Sequence, residues 1–406
     1  MTHALGSDLL TRRLDTALAE RTRANADFFE SEAERLARLC HRMAERFARG
    51  GRLIAFGRSP AARSDARHVA VEFVHPVIVG KRALPAIGLA GEGGPLAQQV
   101  ELVAEPDDIA IAFGVDEDGG EAAEALSLAR ACGCLTLAFA PAGAEWEFEP
   151  PVGDASIRQE LVETLYHVLW ELVHVFFDHR GLLEGRSARP THDTGASSFL
   201  YPFLGEQEHD LEAVVEDVRR SVLAKAEEIG ELRAQTLTDN RDDLIRAAAG
   251  LRHDLETGGR LLALGNGGSA TDAMDAVADF RRPPDPDWTP RRALDLTEDP
   301  AILTAIANDI GTEAIFARQV IAHGRERDAL LAISTSGNSA NVIAALAEGR
   351  KRGLRTVAMV GYDGGRVAGE RLADHVVVTR SEHIPRIQEA QASAYHLLRE
   401  LVELTP

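Results

Sequence analysis

Two short segments of this chain carry residues suited to gripping a phosphate. The first is Ser334-Thr335-Ser336-Gly337-Asn338-Ser339, which follows the apolar run Leu330-Leu331-Ala332-Ile333 and precedes a helical pattern, Ala340–Arg350. Four hydroxyls and a flexible glycine thus stand at a strand-to-helix turn. Unpaired backbone N–H groups and the helix dipole favour an anion there, and hydroxyls donate to phosphate oxygens without bringing a full positive charge. A Ser/Thr-rich turn that only caps a helix has the same composition, so this segment alone leaves both readings open. The second segment, Leu264-Gly265-Asn266-Gly267-Gly268-Ser269, also joins a strand to a helix, with Asp272 in the first turn. Its glycines let backbone come close to a ligand, and Asn266, Gly267 and Ser269 are set to contact sugar hydroxyls or phosphate. Two such loops at comparable switch positions weigh more than one.

The surrounding elements have to hold these loops at the ends of strands. Residues 8–50 read as an amphipathic helix. Strand-like runs then come at Arg52–Gly57, Ala86–Ala90, Ile109–Phe113 and Cys134–Ala140, separated by helical patterns, and a long apolar helix, Ile157–Phe177, closes this half. Gly, Ser and Pro cluster over 180–206, marking a linker. Helices over 208–256 lead to a second set of strands at Arg260–Gly265, Leu330–Ser334, Thr356–Val360 and His375–Val378, closed by the helix Ile384–Leu404. Strands alternating with helices predict an α/β fold with a central parallel sheet covered on both faces. The expected domains are 8–179 and 207–406. They match as an internal repeat: Ala66–Phe73 parallels Ala273–Phe280, and Gln159 and His167 recur as Gln388 and His396 at one common offset.

Composition narrows the class. The chain has 406 residues, 45% hydrophobic and 27% charged, with a net charge of -20. That acidic balance argues against nucleic acid, which needs a local basic patch; Arg281-Arg282 and Arg291-Arg292 sit among prolines and acids and read as solvated loop charge. No apolar run approaches the ~20 residues of a membrane span, and the N-terminus has no leader pattern, so a cytoplasmic protein is expected. Cys132 and Cys134 fall in what reads as one strand and are expected to be buried small hydrophobes rather than metal ligands.

Four segments occur in order: Gly265–Ala270, Ser334–Ser339, Gly361-Tyr362-Asp363-Gly364-Gly365 and Arg386-Ile387-Gln388-Glu389. With Ala305-Ile306-Ala307-Asn308-Asp309 they resemble phosphoheptose (sedoheptulose-7-phosphate) isomerases, a family of sugar-isomerase (SIS) domains. The resemblance covers residues 210–405 strongly and 10–178 more weakly. It implies two tandem doubly wound SIS domains and aldose–ketose isomerisation of a phosphorylated sugar through an enediol. A related reading is a non-catalytic phosphosugar-binding regulator or adaptor.

The resemblance also implies a metal, usually zinc, held by a His and a Glu four apart on one helix and a Gln and a His eight apart on another. In the first repeat that set is His68, Glu72, Gln159 and His167, with Glu72 and His167 the implied acid/base pair. There the loop after Ile109–Phe113 reads Gly114-Val115-Asp116-Glu117-Asp118-Gly119, whose acids repel a phosphate, and the first loop is altered to Phe56-Gly57-Arg58-Ser59-Pro60. In the second repeat the hydroxyl loop is intact, but the set becomes Asp275, Asp279, Gln388 and His396, with Asp279 and His396 the second-choice pair. Substrate contacts are expected from Asn266, Gly267, Ser269, Ser334, Thr335, Ser336, Ser339, Gln388 and, for sugar hydroxyls, Asp309. This complementary loss predicts a site shared between repeats, in a homodimer that mimics the tetramer of single-domain relatives.

Overall fold

Short runs of Leu, Ile, Val and Ala, each ended by Gly or polar residues, become strands, and helices separate them as a parallel sheet requires. The computed structural model describes residues 2–78, 81–91, 93–117, 119–178, 183 and 210–405. Apart from Leu183, the 180–206 linker lies outside the described residues.

The first sheet contains β1 (Leu53–Phe56), β2 (Ala86–Leu89), β3 (Ile109–Ala112), β4 (Leu135–Ala138) and β5 (Trp146–Glu147), in the order β2-β1-β3-β4-β5. The second contains β6 (Leu261–Leu264), β7 (Ala293–Asp295), β8 (Ala329–Ser334), β9 (Arg355–Val360) and β10 (His375–Val378), in the order β10-β9-β8-β6-β7. Every pairing is parallel. Read from the other edge, the second order repeats the first, so both halves carry one doubly wound topology. The two shortest strands, β5 and β7, lack an apolar run and are not marked in the sequence.

The helices, in chain order, are α1 (Thr2–Ala48), α2 (Pro60–Val74), α3 (Leu96–Val103), α4 (Glu121–Ala131), α5 (Ala155–Asp178), α6 (Leu211–Asp239), α7 (Arg241–Glu256), α8 (Gly268–Arg281), α9 (Pro300–Asp309), α10 (Ile315–His323), α11 (Ala340–Lys351), α12 (Gly365–Gly369) and α13 (Ile384–Leu404). Two compact units result. The first sheet's unit holds Ala24–Gly153 and Leu161–Glu227; the second sheet's unit holds Met1–Arg23, Asp154–Glu160 and Glu228–Pro406. The divisions fall inside α1, α5 and α6.

In the second sheet, successive residues supply two cores. Leu261, Ala263, Leu331, Ile333 and Met359 pack with Leu251, Val277 and Leu398 from α7, α8 and α13. Leu262, Leu264, Leu330, Ala332 and Val360 pack with Phe316, Val320 and Leu346 from α10 and α11. In the first sheet Ile54, Phe56, Ala110 and Ala112 pack with Leu96, Val100, Ala122 and Leu126 from α3 and α4. Both faces of the second sheet are thus buried, and its polar residues are left for the strand ends. Cys132 is not in a strand. It is the C-cap of α4, because Gly133 turns the chain there with φ 96°, and β4 starts only at Leu135. Cys134 is buried, with Sγ 3.5 Å from the Glu105 carbonyl, as a small core residue.

Candidate active site

The hydroxyl loop begins on the last residue of β8, Ser334, and ends on Ser339, the N-cap of α11. Ser334 is buried and its Oγ accepts from Gly337 N at 3.2 Å; Ser336 Oγ accepts from Asn338 N at 3.2 Å. Gly337 has φ +61°, and a Cβ there would stand 2.3 Å from the Gly364 carbonyl oxygen, so only glycine fits. Asn338 Oδ1 accepts from Arg366 N at 3.0 Å, which fastens this loop to the Gly361–Gly365 turn. Asn266, in the glycine loop, exchanges two amide hydrogen bonds of 3.0 and 2.9 Å with Asn341 at the start of α11. The two loops of the second unit are therefore one structure.

The N-termini that open on this structure lack side-chain caps. Gly267 caps α8 and Ser339 caps α11, and neither contributes a side-chain hydrogen bond. Backbone donors and positive dipole ends are left facing the loops, the condition an anion needs. The first unit differs at the same place. Ser59 Oγ accepts from Ala62 N, and Pro60 at the first turn of α2 has no N–H to offer. Arg58 is held bidentately by Glu121 at 2.9 Å, so its charge is already matched. Asp116 and Glu117 are exposed, and Asp118 lies outside the described residues.

Helix α8 also carries the carboxylates. Asp275 and Asp279 are buried on it, and both meet His396 of α13. His396 Nε2 stands 3.2 Å from Asp275 Oδ2 and 3.7 Å from Asp279 Oδ2; its Nδ1 stands 3.0 Å from Glu160 Oε1. Tyr395 Oη donates to Asp275 Oδ2 at 2.8 Å, and Asp275 Oδ1 takes no hydrogen bond from a described residue. Glu160 is itself anchored by Arg21, with contacts of 3.0–3.1 Å to both carboxylate oxygens, and by Ser393 Oγ at 2.5 Å. Burial alone would discharge His396, but the hydrogen bonds to Asp275 and Glu160 and the charge of Asp279 hold its pKa well above the ordinary value. Burial, and then the Asp275 charge, push the Asp279 carboxyl up to about 7. Glu160 is held below the usual carboxylate range: burial pushes it up, and Arg21 and His396 outweigh that. The outcome is a charged imidazole beside a carboxylate poised near neutrality.

The first unit arranges its histidines in the opposite way. His68 and Glu72 lie on the buried face of α2, and Glu163, Tyr166 and His167 on α5. His68 Nε2 and His167 Nε2 are 3.3 Å apart, and Glu72 Oε1 is 3.8 Å from His68 Nε2. Tyr166 Oη lies 3.0 Å from His68 Nδ1 and donates to Asp65 Oδ1 at 3.4 Å. Burial, together with His167, holds the His68 pKa well below the ordinary value, so this ring is neutral.

A SIS-domain family model matches residues 226–361. The phosphoheptose isomerase of Nitratidesulfovibrio vulgaris is 39% identical over 196 residues, which are 47% of this chain and 90% of the relative. That of Solidesulfovibrio magneticus is 39% identical over 188 residues, 46% of this chain and 91% of the relative. The chain belongs to the phosphoheptose isomerase family of SIS-domain proteins. Nearly a whole family member fits in under half of it, as a duplicated chain requires. The C-terminal domain of glucosamine-fructose-6-phosphate aminotransferase from Francisella tularensis covers 96% of this chain and 94% of its own length at 9% identity, TM-score 0.59. That likeness extends the SIS fold to both halves.

The two residue sets differ in how well they suit the metal that the family resemblance implies. In the second unit the donor set does not fit as it stands: both nitrogens of His396 face carboxylates, and Asp275, Asp279 and His396 do not form a group whose ligand atoms all lie within 4.8 Å of one another. Gln388 is buried on α13, two turns before His396. In the first unit the donors fit. Among the His, Cys, Asp and Glu side chains of the described residues, His68, Glu163 and His167 are the group whose ligand atoms all lie within 4.8 Å of one another. Gln159 falls in the 154–160 segment grouped with the second unit. Asp309 ends α9, exposed, and accepts from Asn308 Nδ2 at 2.8 Å. Sequence reasoning missed Glu160, Arg21, Tyr395, Asn341, Tyr166 and Glu163. Two of these left a trace: Glu163 is four residues before His167, and Glu160 belongs to a repeated Gln-Glu pair.

Proposed function

We propose that the second unit is a phosphosugar aldose–ketose isomerase site, taking sedoheptulose 7-phosphate or a close relative, with Asp279 and His396 as its acid/base pair. The observation that carries this reading is the single helix α8. Its uncapped start forms part of the phosphate loop at Ser269, and its later turns present Asp275 and Asp279 to His396. Asp275 and Asp279 are six and ten residues beyond Ser269, about 9 and 15 Å along the axis at 1.5 Å per residue. A phosphate held at the loop leaves the sugar chain running toward the carboxylates.

The residues divide the work accordingly. Ser334, Thr335, Ser336 and Ser339, with Ser269 and the backbone at Gly267, bind the phosphate. Asp279 takes the proton from the carbon next to the carbonyl. The His396 imidazolium donates to the carbonyl oxygen as it gains charge, giving a neutral enediol. Asp279 then returns its proton to the neighbouring carbon while the other hydroxyl gives its proton back to the neutral His396, which yields the isomeric carbonyl and restores both groups. Glu160, held by Arg21 and Ser393, keeps His396 charged and oriented, and Asp275 Oδ1 is left for a substrate hydroxyl. Asn266, Gln388 and Asp309 are assigned to hydroxyl contacts further along the sugar. Of the two acid/base pairs named from the resemblance, Asp279/His396 is preferred because it shares a unit with the phosphate loop. Glu72/His167 shares its unit with a capped helix and acidic residues.

A cytoplasmic homodimer is part of this reading and rests on the duplication; light scattering that returned a monomer would remove that part. The function itself is tested by incubating the purified chain with sedoheptulose 7-phosphate and following aldose formation by NMR. Turnover is expected, together with thermal stabilisation by the sugar. Stabilisation without turnover under any condition would reduce the site to a binding module.

A further inference from the structure

We infer that Asn341 is a positioning residue that sets specificity: it fixes which way the Asn266 amide points, and so lets the second unit tell a phosphorylated sugar from bare phosphate. This inference rests on the proposed reading of Asn266 as a contact to a sugar hydroxyl.

The backbone of Asn266 is fixed, which leaves its side chain as the remaining freedom. It sits between Gly265, where a Cβ would stand 2.0 Å from the Ser269 carbonyl oxygen, and Gly267, at φ +57°. Its own carbonyl accepts from Ser269 N at 3.0 Å, and the residue is exposed. An amide can present either its oxygen or its NH2 to a neighbour, and the hydrogen-bond network decides which. Here the network starts at a group that cannot be reversed. Val342 is 1% exposed and packs in one core with Leu330 and Leu346, so its backbone N–H is held in place. That N–H donates to Asn341 Oδ1 at 2.9 Å, so this end of Asn341 has to be oxygen. The same oxygen accepts from Asn266 Nδ2 at 3.0 Å, and Asn341 Nδ2 donates back to Asn266 Oδ1 at 2.9 Å. Turning Asn266 over would oppose nitrogen to nitrogen and oxygen to oxygen.

What the pair leaves over decides the ligand. It uses one N–H and one acceptor position of Asn266 and leaves one of each. A sugar hydroxyl both donates and accepts, so it satisfies the two together. The phosphate has its own donors in the hydroxyl loop and gains nothing from the free acceptor of Asn266. Asn341 therefore acts through Asn266: it carries the orientation set at the core-anchored start of α11 across to the glycine loop.

The test is calorimetric binding of sedoheptulose 7-phosphate and of inorganic phosphate to the full-length protein. The readout is the ratio of the two affinities, in which a general loosening of the loops cancels. Asn341→Ala should lower the ratio about fivefold, the worth of one hydrogen bond, and Asn266→Ala by at least as much. The double variant should fall no further than Asn266→Ala alone, because the two residues act as one unit. Asn341→Asp keeps the acceptor used by Val342 and Asn266 and removes only the return donor. Its ratio should lie between those of wild type and Asn266→Ala, and it serves as the informative variant if Asn341→Ala does not fold. An unchanged ratio in Asn341→Ala overturns the inference. So does an additive double variant, a ratio in Asn341→Asp as low as in Asn266→Ala, or a wild type that binds the two ligands equally well. Turnover measured on the same samples keeps the two claims apart. The expected binding pattern without turnover removes the isomerase reading and leaves this inference standing; turnover with an additive double variant does the reverse.

Discussion

His167 and His396 occupy matching positions on the closing helices of two repeats, yet their surroundings have opposite electrical character. His396 has a carboxylate at each nitrogen, Glu160 at 3.0 Å and Asp275 at 3.2 Å, and is held charged. His167 faces a second histidine at 3.3 Å, whose ring is held neutral. The loops divide the same way: open helix starts share a unit with the charged histidine, and a capped start with acidic residues shares a unit with the neutral His68. Once a chain is duplicated, one copy can keep substrate chemistry while the other drifts toward holding the fold. The comparison teaches that a repeated spacing, here eight residues between Gln and His, does not by itself fix what surrounds the histidine.

The largest effect that would break this comparison comes from the carboxylates. Asp279→Asn should lower kcat by roughly 10²–10⁴-fold, the usual worth of a positioned proton acceptor. If Glu72→Gln in the first unit cost as much in kcat while its fold was retained, the division of labour would be wrong.

Next is Glu160→Gln, which removes the anion that keeps His396 charged. A kcat loss of about 10- to 100-fold with KM nearly unchanged is expected, partly restored by Glu160→Asp. The fold should weaken as well, since breaking a buried ion pair with Arg21 costs about 3–5 kcal/mol at most; kinetics and thermal melts on one preparation separate the two effects. Ser336→Ala comes third: losing a hydrogen bond to a charged phosphate costs about 1.5–3 kcal/mol, a KM increase of at least tenfold. Asp116→Ala in the first loop should leave KM for the phosphosugar where it was.

The pH dependence sharpens the same contrast more gently. Asp279 must be ionised to act and its pKa is raised to about 7, so kcat/KM should climb with pH and level off above about 7. His396 remains charged through that window because its pKa is raised well above the ordinary value. The stability sign is the reverse. A carboxyl whose folded pKa is raised costs nothing when protonated in both states, and costs stability as pH rises from ~4 through its folded value. Asp279→Asn should therefore melt higher than wild type at pH 8 and equally at pH 4. Equal melting at both would mean that the Asp279 carboxylate is not strained.

Much of this architecture is legible in the sequence because it is local. The helix Ile384–Leu404 and the strand His375–Val378 appear at the residues expected, and most other strands within a residue or two, since apolar runs ended by glycine leave few alternatives. The hydroxyl loop is legible for the same reason: strand, turn and helix are adjacent in the chain. The partners of His396 are not. Glu160 is 236 residues away from it and Arg21 a further 139 residues from Glu160, so no spacing rule reaches them. Their presence follows from physics only after the fold is known, because a buried imidazole with two carboxylates needs a cation nearby to balance the set. Glu163 is the opposite case. Its four-residue spacing from His167 is a local pattern, masked by the stronger expectation attached to Gln159.

The central claim is that Asp279 moves a carbon-bound proton in the unit that grips the phosphate. It is tested most directly by incubating the protein with sedoheptulose 7-phosphate in D2O and following deuterium at the carbon next to the carbonyl by NMR. Wild type should exchange that proton and Asp279→Asn should not, although Asp279→Asn still binds the sugar. Exchange at the wild-type rate in Asp279→Asn, with the fold intact, would contradict the account.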